Sequence, residues 1–313
     1  MLSLIPIHDD NPTHRPAVVT WTLIAINVVV FFISPISPLD IGGDANTPAG
    51  FCRQIAFFRE WAAIPVELFE NDPLDVTAGP PSGDRCLPVR PDYQKVPALS
   101  VLTAMFLHGG LLHLAGNMLF LFVFGNNVED RLGHLRYLLF YVACGYLATY
   151  GFALSDPSSD ETLVGASGAI AGVLGAYLLL FPRARVTSLV PFLFFLPVWL
   201  PAWVVLGSWF VLQWLYFQGA ATAQGAGVAY LAHVVGFVAG VVLVILLGGL
   251  RTRRARRAGQ RPPARSARRS SSTSSSSIRT RIRAISTVRS GSQLARTGFP
   301  PSSRPSPAVT SRR

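Results

Sequence analysis

The 313-residue chain is half hydrophobic and only 14% charged, and its mean hydropathy is +0.40. Soluble domains carry about 25% charged residues, so this composition excludes an ordinary soluble protein and indicates a membrane protein. The net charge of +11 is unevenly distributed, because seventeen arginines and no acidic residue lie in 251–313. These seventeen charges exceed the total by six, and residues 1–250 therefore carry a net charge of −6.

Apolar segments without charge predict six transmembrane helices, since a membrane-spanning helix needs about 20 such residues. They lie in 16–39, about 102–125, 137–155, 166–182, about 202–217 and 228–250. The stretch 186–250 is too long for one helix, and we divide it at 218–227, where polar and small residues dilute the apolar character. The prediction is an all-α membrane protein with a short N-terminus (1–15), a six-helix domain (16–250) and a tail (251–313).

Residues 36–97 differ in kind from the helices on either side. They contain nine acidic residues and many prolines and glycines, which predicts a large loop inserted between the first two helices. Within it, the aromatic segment 51–61 is interpreted as a helix on the membrane surface. Cys52 and Cys86 both lie in this loop, so a disulfide is one prediction and two free thiols are the other. Cys144, within the third helix, is expected to stay reduced.

Arginine positions predict the orientation of the helices. Arginines cluster at 131–136, at 183–185 and in the tail, all on one side of a six-helix arrangement. The positive-inside rule places that side, with both termini, in the cytoplasm, and the loop 36–97 outside. The predicted location is the plasma or inner membrane. The Arg- and Ser-rich tail is expected to be disordered and to contact anionic lipids of the inner leaflet, and nucleic acid is not an expected partner.

Two polar residues stand at the exterior ends of apolar helices. Ser167, in the Gly-Ala-Ser-Gly sequence 165–168, opens the fourth helix, and His233 lies near the start of the sixth. A serine and a histidine at the same membrane depth suggest a nucleophile and its base. No Cys/His cluster has zinc-ligand spacing, and no metal or organic cofactor is predicted.

The second predicted helix also contains polar side chains, His108, His113 and Asn117. Polar groups in hydrocarbon are costly and invite a functional explanation. The alternative is that they form interhelical hydrogen bonds alone, worth about 0.6 kcal/mol each. His113 and Asn117 are four residues apart and therefore share one helical face.

Taken together, these motifs resemble those of the rhomboid intramembrane serine proteases, over about 16–249 without most of the loop before residue 97. The resemblance rests on Gly-Ala-Ser-Gly, on His-x4-His-x3-Asn, on a later histidine followed by glycines, and on a Glu-x-Arg turn. It implies that Ser167 is the nucleophile, that His233 is the base, and that Asn117 with His113 stabilises the oxyanion. His108 corresponds to a structural histidine, and Glu129 and Arg131 correspond to the turn.

One position departs from this family pattern. Rhomboids often carry Tyr or Phe one turn after the serine, where the ring stacks on the catalytic histidine, but this chain has Ala171. Tyr230 and Phe237 are the candidates to replace that ring.

Small residues in the fourth and sixth helices predict how Ser167 and His233 can meet. Gly168 and Gly172 are four residues apart, and so are Gly236 and Gly240. Gly165 precedes the serine. Small residues at this spacing let helix backbones approach closely.

The resemblance implies an endopeptidase that cleaves transmembrane segments of membrane-anchored proteins near the exterior face. A second class is a catalytically silent rhomboid-like protein that binds or guides membrane clients, which loss of the serine or histidine would mark. A third class is a transporter with histidines as proton relays, but the inverted repeats typical of transporters are not evident in the sequence.

Overall fold

The computed structural model describes residues 4–38, 47–83, 85–191, 195–219 and 229–248. Contacts divide the chain into one unit of Met1–Arg261 and another of Pro262–Arg313, and every described residue belongs to the first. The predicted tail 251–313 lies outside the described residues, as does most of the predicted division at 218–227.

Helices dominate the described part of the chain. In order, the elements are β1 (Ile5–Asp9), α1 (Val18–Ile33), α2 (Pro48–Trp61), α3 (Pro65–Glu70), β2 (Thr77–Ser82), β3 (Arg85–Val89), α4 (Pro97–Ala104), α5 (Leu111–Leu132), α6 (His134–Ala153), α7 (Ser167–Leu180), β4 (Arg185–Val190), β5 (Leu196–Pro201), α8 (Ala202–Phe217) and α9 (Tyr230–Leu246). The six longest apolar segments of the sequence correspond to α1, α5, α6, α7, α8 and α9. The prediction of an all-α fold is incomplete, because five short strands form two small sheets.

Helix α7 occupies the centre of the bundle and packs against α5, α6, α8 and α9. Most of its residues are buried, as expected of a helix that is apolar on every side. Its sequence contains Gly168, Gly172 and Gly175 among alanines, so neighbouring helices can approach its backbone from several directions. The central helix is therefore the one that carries Ser167 at its first position.

The second predicted helix is displaced toward the C-terminus. Residues 97–104 form the separate short helix α4, and α5 begins only at Leu111. The consecutive glycines Gly109 and Gly110 account for the break, because glycine is a poor helix former and Gly110 has an extended conformation as the N-cap. His108 therefore lies between α4 and α5, and not within the second helix as predicted.

The predicted charged turn around Glu129 is mostly helical. Glu129 and Arg131 lie in the last turn of α5, and Gly133, with φ +82°, makes the connection to α6. The Glu129 carboxylate is buried and accepts hydrogen bonds from the backbone N–H groups of Val19 and Thr20, at 2.9 and 2.8 Å. These N–H groups belong to the first turn of α1, so Glu129 caps one helix from another.

The loop 36–97 contains ordered elements in its described part. Helix α2 covers the segment predicted to be helical, with the Thr47 side chain as its N-cap, and β2 and β3 form an antiparallel hairpin. A disulfide joins Cys52 of α2 to Cys86 of β3. Glu67 and Lys95 form a buried ion pair at 2.6 Å that ties α3 to the segment before α4.

The second sheet lies at the end of the bundle opposite Ser167. Strand β4 pairs antiparallel with β1 on one side and with β5 on the other. Strand β5 lies at the edge of this sheet, where Pro197 is tolerated because the outer side of an edge strand needs no N–H donor. Asp9 of β1 accepts hydrogen bonds from Asn127 at 2.8 Å and from Tyr177 at 2.6 Å. The sheet is thereby attached to the C-terminal ends of α5 and α7.

The outer faces of the helices are apolar. Large exposed hydrophobic side chains include Trp21, Val29, Ile33, Leu139, Leu147, Val211, Trp214, Val238, Val242 and Ile245. Many large exposed apolar side chains on the helices are typical of contact with lipid. By length and apolar character, one helix of the described residues, Leu111–Leu132, suffices to cross a membrane, and four shorter apolar helices accompany it.

Candidate active site

Ser167 and His233 lie 66 residues apart in sequence and meet at one end of the bundle. Ser167 is the first residue of α7, and His233 lies in the first turn of α9. The Ser167 Oγ and His233 Nε2 atoms are 2.8 Å apart, which is hydrogen-bond distance. Both side chains are half-buried, so the pair is partly shielded from its surroundings but is not enclosed within the bundle.

Glycines allow α7 and α9 to approach to this distance. A Cβ atom at Gly236 would overlap the carbonyl oxygen of Gly168, and a Cβ atom at Gly240 would overlap that of Gly172. On its other side, a Cβ at Gly168 would lie 2.6 Å from the Cβ of Ala148 in α6. The two glycine pairs predicted from sequence are thus the points where the backbones touch.

A third side chain, Gln213, completes the contacts of His233. Gln213 lies in α8, is buried, and places its Oε1 atom 2.8 Å from His233 Nδ1. An amide oxygen is only an acceptor, so this contact puts the histidine proton on Nδ1 and leaves the Nε2 lone pair for the Ser167 hydroxyl. Sequence analysis missed Gln213, although a single amide within an apolar helix was a usable signal.

Aromatic rings from α8 and α9 surround His233, while Ala171 is buried in the core of the bundle. The Trp209 ring lies 5.8 Å from the His233 ring at an interplanar angle of 34°, and Tyr230 meets it edge-on at 6.4 Å. Phe237 stacks on Trp209 and not on the histidine itself. Of the two predicted replacements, Tyr230 therefore contacts His233 directly, and Trp209 was not anticipated.

Asn117, His108 and His113 form a cluster beside the serine. Asn117 Nδ2 lies 2.9 Å from His108 Nε2, and the rings of His108 and His113 meet edge-to-face at 5.0 Å. His108 is almost fully buried, as suits a residue that holds neighbouring groups in place. Since an amide nitrogen carries two N–H groups, the contact with His108 leaves one for another acceptor.

Gly165 separates His113 from Ser167 and has a conformation that side chains rarely adopt. Its φ is +120°, and an added Cβ would lie 2.9 Å from the His113 ring and 3.6 Å from Ser167 Oγ. Its backbone N–H donates to the carbonyl of Ala104 at 2.9 Å. A glycine is therefore required for the loop to bring Ser167 beside His113.

Cavities occur at both ends of the bundle. A cavity of about 20 Å³ is lined by Ser167, Gly168 and Thr149 among others, which is room for a single water. A larger cavity of about 430 Å³ lies at the opposite end, where Arg15, Arg131 and Arg136 line it. Within the described ranges, no group of three or more His, Cys, Asp or Glu side chains is placed to hold a metal ion.

Comparison with known proteins assigns a segment of the chain to a family. Residues 97–250 match the model of the Rhomboid domain family, a segment that contains Ser167, Gln213 and His233. Residues 97–250 are therefore a rhomboid domain. A rhomboid domain implies a membrane protein.

Individual rhomboid relatives match over shorter segments. RHOMBOID-like protein 5 of Arabidopsis thaliana is 38% identical over 78 residues, which are 25% of this chain and 25% of the relative. Putative rhomboid protease YdcA of Bacillus subtilis is 40% identical over 78 residues, 25% of this chain and 39% of the relative. Rhomboid protein 1, mitochondrial, of Saccharomyces cerevisiae is 30% identical over 149 residues, 46% of this chain and 40% of the relative. The chain thus spans less than half the length of the relatives it matches, and their names include both proteases and rhomboid-like proteins.

Proposed function

We propose that this rhomboid protein is an intramembrane serine endopeptidase, with Ser167 as nucleophile and His233 as general base. The observation that carries the proposal is the 2.8 Å contact between Ser167 Oγ and His233 Nε2. A nucleophile within hydrogen-bond reach of a base that a third group orients is the signature of an activated serine. Gln213, at 2.8 Å from Nδ1, supplies that third group.

The reaction follows from the positions of these atoms. Ser167 Oγ attacks the carbonyl carbon of the substrate peptide while Nε2 of His233 takes the hydroxyl proton. When the tetrahedral intermediate collapses, the C–N bond breaks, and the same proton passes from Nε2 to the leaving amine. A water then attacks the acyl-enzyme with His233 again as base, which releases the carboxylic acid and restores the serine hydroxyl.

Oxyanion stabilisation is assigned to Asn117, His113 and the backbone N–H of Ser167. The amide of Asn117 has an N–H group beyond the one that contacts His108, as described above. Ser167 opens α7, so its N–H is among those that have no acceptor within the helix, and the helix dipole favours negative charge there. Loss of one such donor typically raises the barrier by about 2.7–4 kcal/mol.

The length of α7 supports a site below the membrane surface. Its 14 residues extend about 21 Å at 1.5 Å per residue, whereas the hydrocarbon core is about 30 Å thick. With the end of α7 near Arg183 and Arg185 at the cytoplasmic boundary, Ser167 lies on the order of 10 Å beneath the exterior surface. We therefore propose six membrane-spanning helices with the active site open to the exterior.

The positions of the N-terminal segment and the arginine clusters support the proposed orientation of the helices in the membrane and the proposed cellular location of the protein. Backbone contact joins Asp10 to Arg185, and Arg15 shares a cavity with Arg131 and Arg136. The N-terminus and both arginine clusters therefore lie at one end, which the positive-inside rule assigns to the cytoplasm of a plasma or inner membrane. Contact of the tail 251–313 with anionic lipids remains part of this proposal.

The proposed substrates are membrane-anchored proteins whose transmembrane segment unwinds near the exterior face. Unwinding is needed because a peptide bond within a helix is shielded from attack by its own backbone and side chains. Small residues at the cut are what the resemblance to rhomboid proteases implies.

Labelling with a serine-reactive phosphonate tests the proposal. We expect labelling of the purified wild-type protein in lipid, and none of Ser167→Ala or His233→Ala. Ser158→Ala is the matched control, because Ser158 is an exposed serine in the loop that leads to α7, and this variant should label as wild type does. Equal labelling of wild type and Ser167→Ala would exclude Ser167 as the nucleophile. A folded wild-type protein that takes no label would instead favour a silent, client-binding rhomboid.

A further inference from the structure

Gln213 is the one buried polar side chain of α8, a helix that is described throughout its length. Its other buried residues are Ala202, Val205 and Leu206. A primary amide in an apolar helix loses its hydrogen bonds to water, so it persists where a specific partner compensates it. The partner here is His233, with Gln213 Oε1 at 2.8 Å from Nδ1.

The contact decides which nitrogen of His233 carries the proton. A neutral imidazole has one N–H and one lone pair, and only the tautomer with Nδ1–H can donate to the Gln213 oxygen. That tautomer turns the lone pair of Nε2 toward Ser167 Oγ at 2.8 Å. With the other tautomer, Nε2 would carry a proton and could not accept the one from serine.

The same contact holds the imidazole ring in position. Nδ1 is held by Gln213, and Trp209 covers the ring at 5.8 Å, so rotation of the imidazole would break a buried hydrogen bond. A carboxylate in this position could accept the same hydrogen bond, but it would also bring a net charge into an apolar bundle, which costs stability. An amide oxygen orients the ring and faces the cation that forms during the reaction, and it carries no net charge.

We infer that Gln213 is a positioning residue, so that the active site is a Ser167–His233–Gln213 triad in which a neutral amide replaces the usual carboxylate. The inference rests on the proposed function, because a triad matters only if Ser167 is the nucleophile. Gln213 touches neither the substrate nor the reacting atoms, and it acts through His233.

The test compares Gln213→Met, which keeps the length of the side chain but removes the acceptor, with Gln213→Glu, which restores an oxygen. Gln218→Met is the matched control, because Gln218 is an exposed glutamine that follows the same helix. We expect Gln213→Met to slow phosphonate labelling and turnover (kcat) about 10- to 100-fold, with little change in KM. Gln213→Glu should recover most of the rate, and Gln218→Met should match wild type.

A spectroscopic readout separates positioning from mere packing. In protein with ¹⁵N-labelled histidine, the nitrogen shifts of His233, assigned by comparison with His233→Asn, report which ring nitrogen carries the proton. We expect Nδ1–H in the wild type and in Gln213→Glu, and loss of that single tautomer in Gln213→Met. If Gln213→Met keeps both the wild-type labelling rate and the Nδ1–H tautomer, the inference is overturned.

The outcomes also separate this inference from the proposed function. If Ser167→Ala abolishes labelling while Gln213→Met labels normally, the peptidase proposal stands and the triad does not. If Ser167→Ala still labels, the proposed function fails, and with it the triad. A melting temperature of Gln213→Met far below that of Gln218→Met would show that Gln213→Met is unfolded. In that case Gln213→Glu tests the triad. A folded Gln213→Glu that has lost both labelling and the Nδ1–H tautomer overturns the inference, and one that retains them supports it.

Discussion

Gly240 is the position where the smallest possible side chain should do most harm to the Ser167–His233 contact. In Gly240→Ala, the new Cβ atom would lie 2.5 Å from both the Cα and the carbonyl carbon of Gly172. Carbon atoms in ordinary contact are about 3.5–4.0 Å apart, so α9 must move away from α7 by about 1 Å. A backbone atom cannot rotate aside as a side chain can, and the helices themselves must separate.

This displacement reaches His233, which lies seven residues before Gly240 on nearly the same face of α9. A misplacement of about 1 Å at a reacting centre typically lowers the rate about 100-fold. Overpacking costs about 1–3 kcal/mol of stability, and the better helix propensity of alanine offsets roughly 1 kcal/mol of it. We therefore expect a large loss of activity in a protein that still inserts and folds.

Rates of phosphonate labelling, and of cleavage of a membrane-anchored reporter in liposomes, measure the effect. Gly207→Ala in α8 is the matched control, because a Cβ atom added at that helical glycine meets nothing within 4 Å. It should behave as wild type does. If Gly240→Ala labels and cleaves as fast as Gly207→Ala, close approach of α7 and α9 at this level is not what aligns Ser167 with His233.

Two further predictions concern regions outside the helix bundle. Burial raises the pKa of Asp9 above its ordinary value of 3.8, so between those two values the folded protein retains a proton that the unfolded chain has lost, and stability falls as pH rises. As the pH rises from 3.8 to the raised pKa of Asp9, the melting temperature of the wild type should therefore fall relative to that of Asp9→Asn. The control Asp10→Asn changes an exposed neighbour and should follow the wild type. The same pH dependence in the wild type and Asp9→Asn would contradict the prediction. For Cys52 and Cys86, mass spectrometry of the non-reduced protein, alkylated with the membrane intact, should find that neither cysteine is alkylated. On the chain-entropy model of loop closure, reduction of this disulfide should lower the stability by roughly 3–4 kcal/mol. Free, alkylatable thiols at both positions would refute the bridge and weaken the exterior placement of the loop.

Much of the candidate site could be predicted from the order of residues along the chain. Ser167 and His233 each stand at the head of an apolar segment, and the alternation of such segments places both heads at one end of a helical bundle. The glycine pairs were readable for the same reason, because a spacing of four residues defines one face of a helix whatever lies opposite. These inferences need only helix geometry and the length of each apolar run.

The breaks and caps at the ends of the helices were predicted less well. The start of α5 shifted from about residue 102 to Leu111, since two glycines outweighed an uninterrupted apolar pattern. Glu129 was predicted to lie in a turn, yet it is buried in the last turn of α5 and caps α1, more than 100 residues earlier in the chain. Such a partner cannot be inferred from local sequence, because the buried carboxylate finds its donors only after two helices have packed.

The contacts of Gln213 and Trp209 with His233 could not be predicted from the sequence, because they depend on how α8 packs. Composition makes α8 apolar on nearly every side, so no stripe in its sequence indicates which residues face α9. The rotation of the helix about its own axis is set by contacts with its neighbours, and that rotation brings Gln213 to Nδ1 of His233 and Trp209 to its ring. The sequence by itself determines the residue types, the lengths of the apolar segments, and the end of the bundle at which each polar residue lies. The pairing of particular side chains across helices depends on how close-packed backbones and rings fit together in three dimensions.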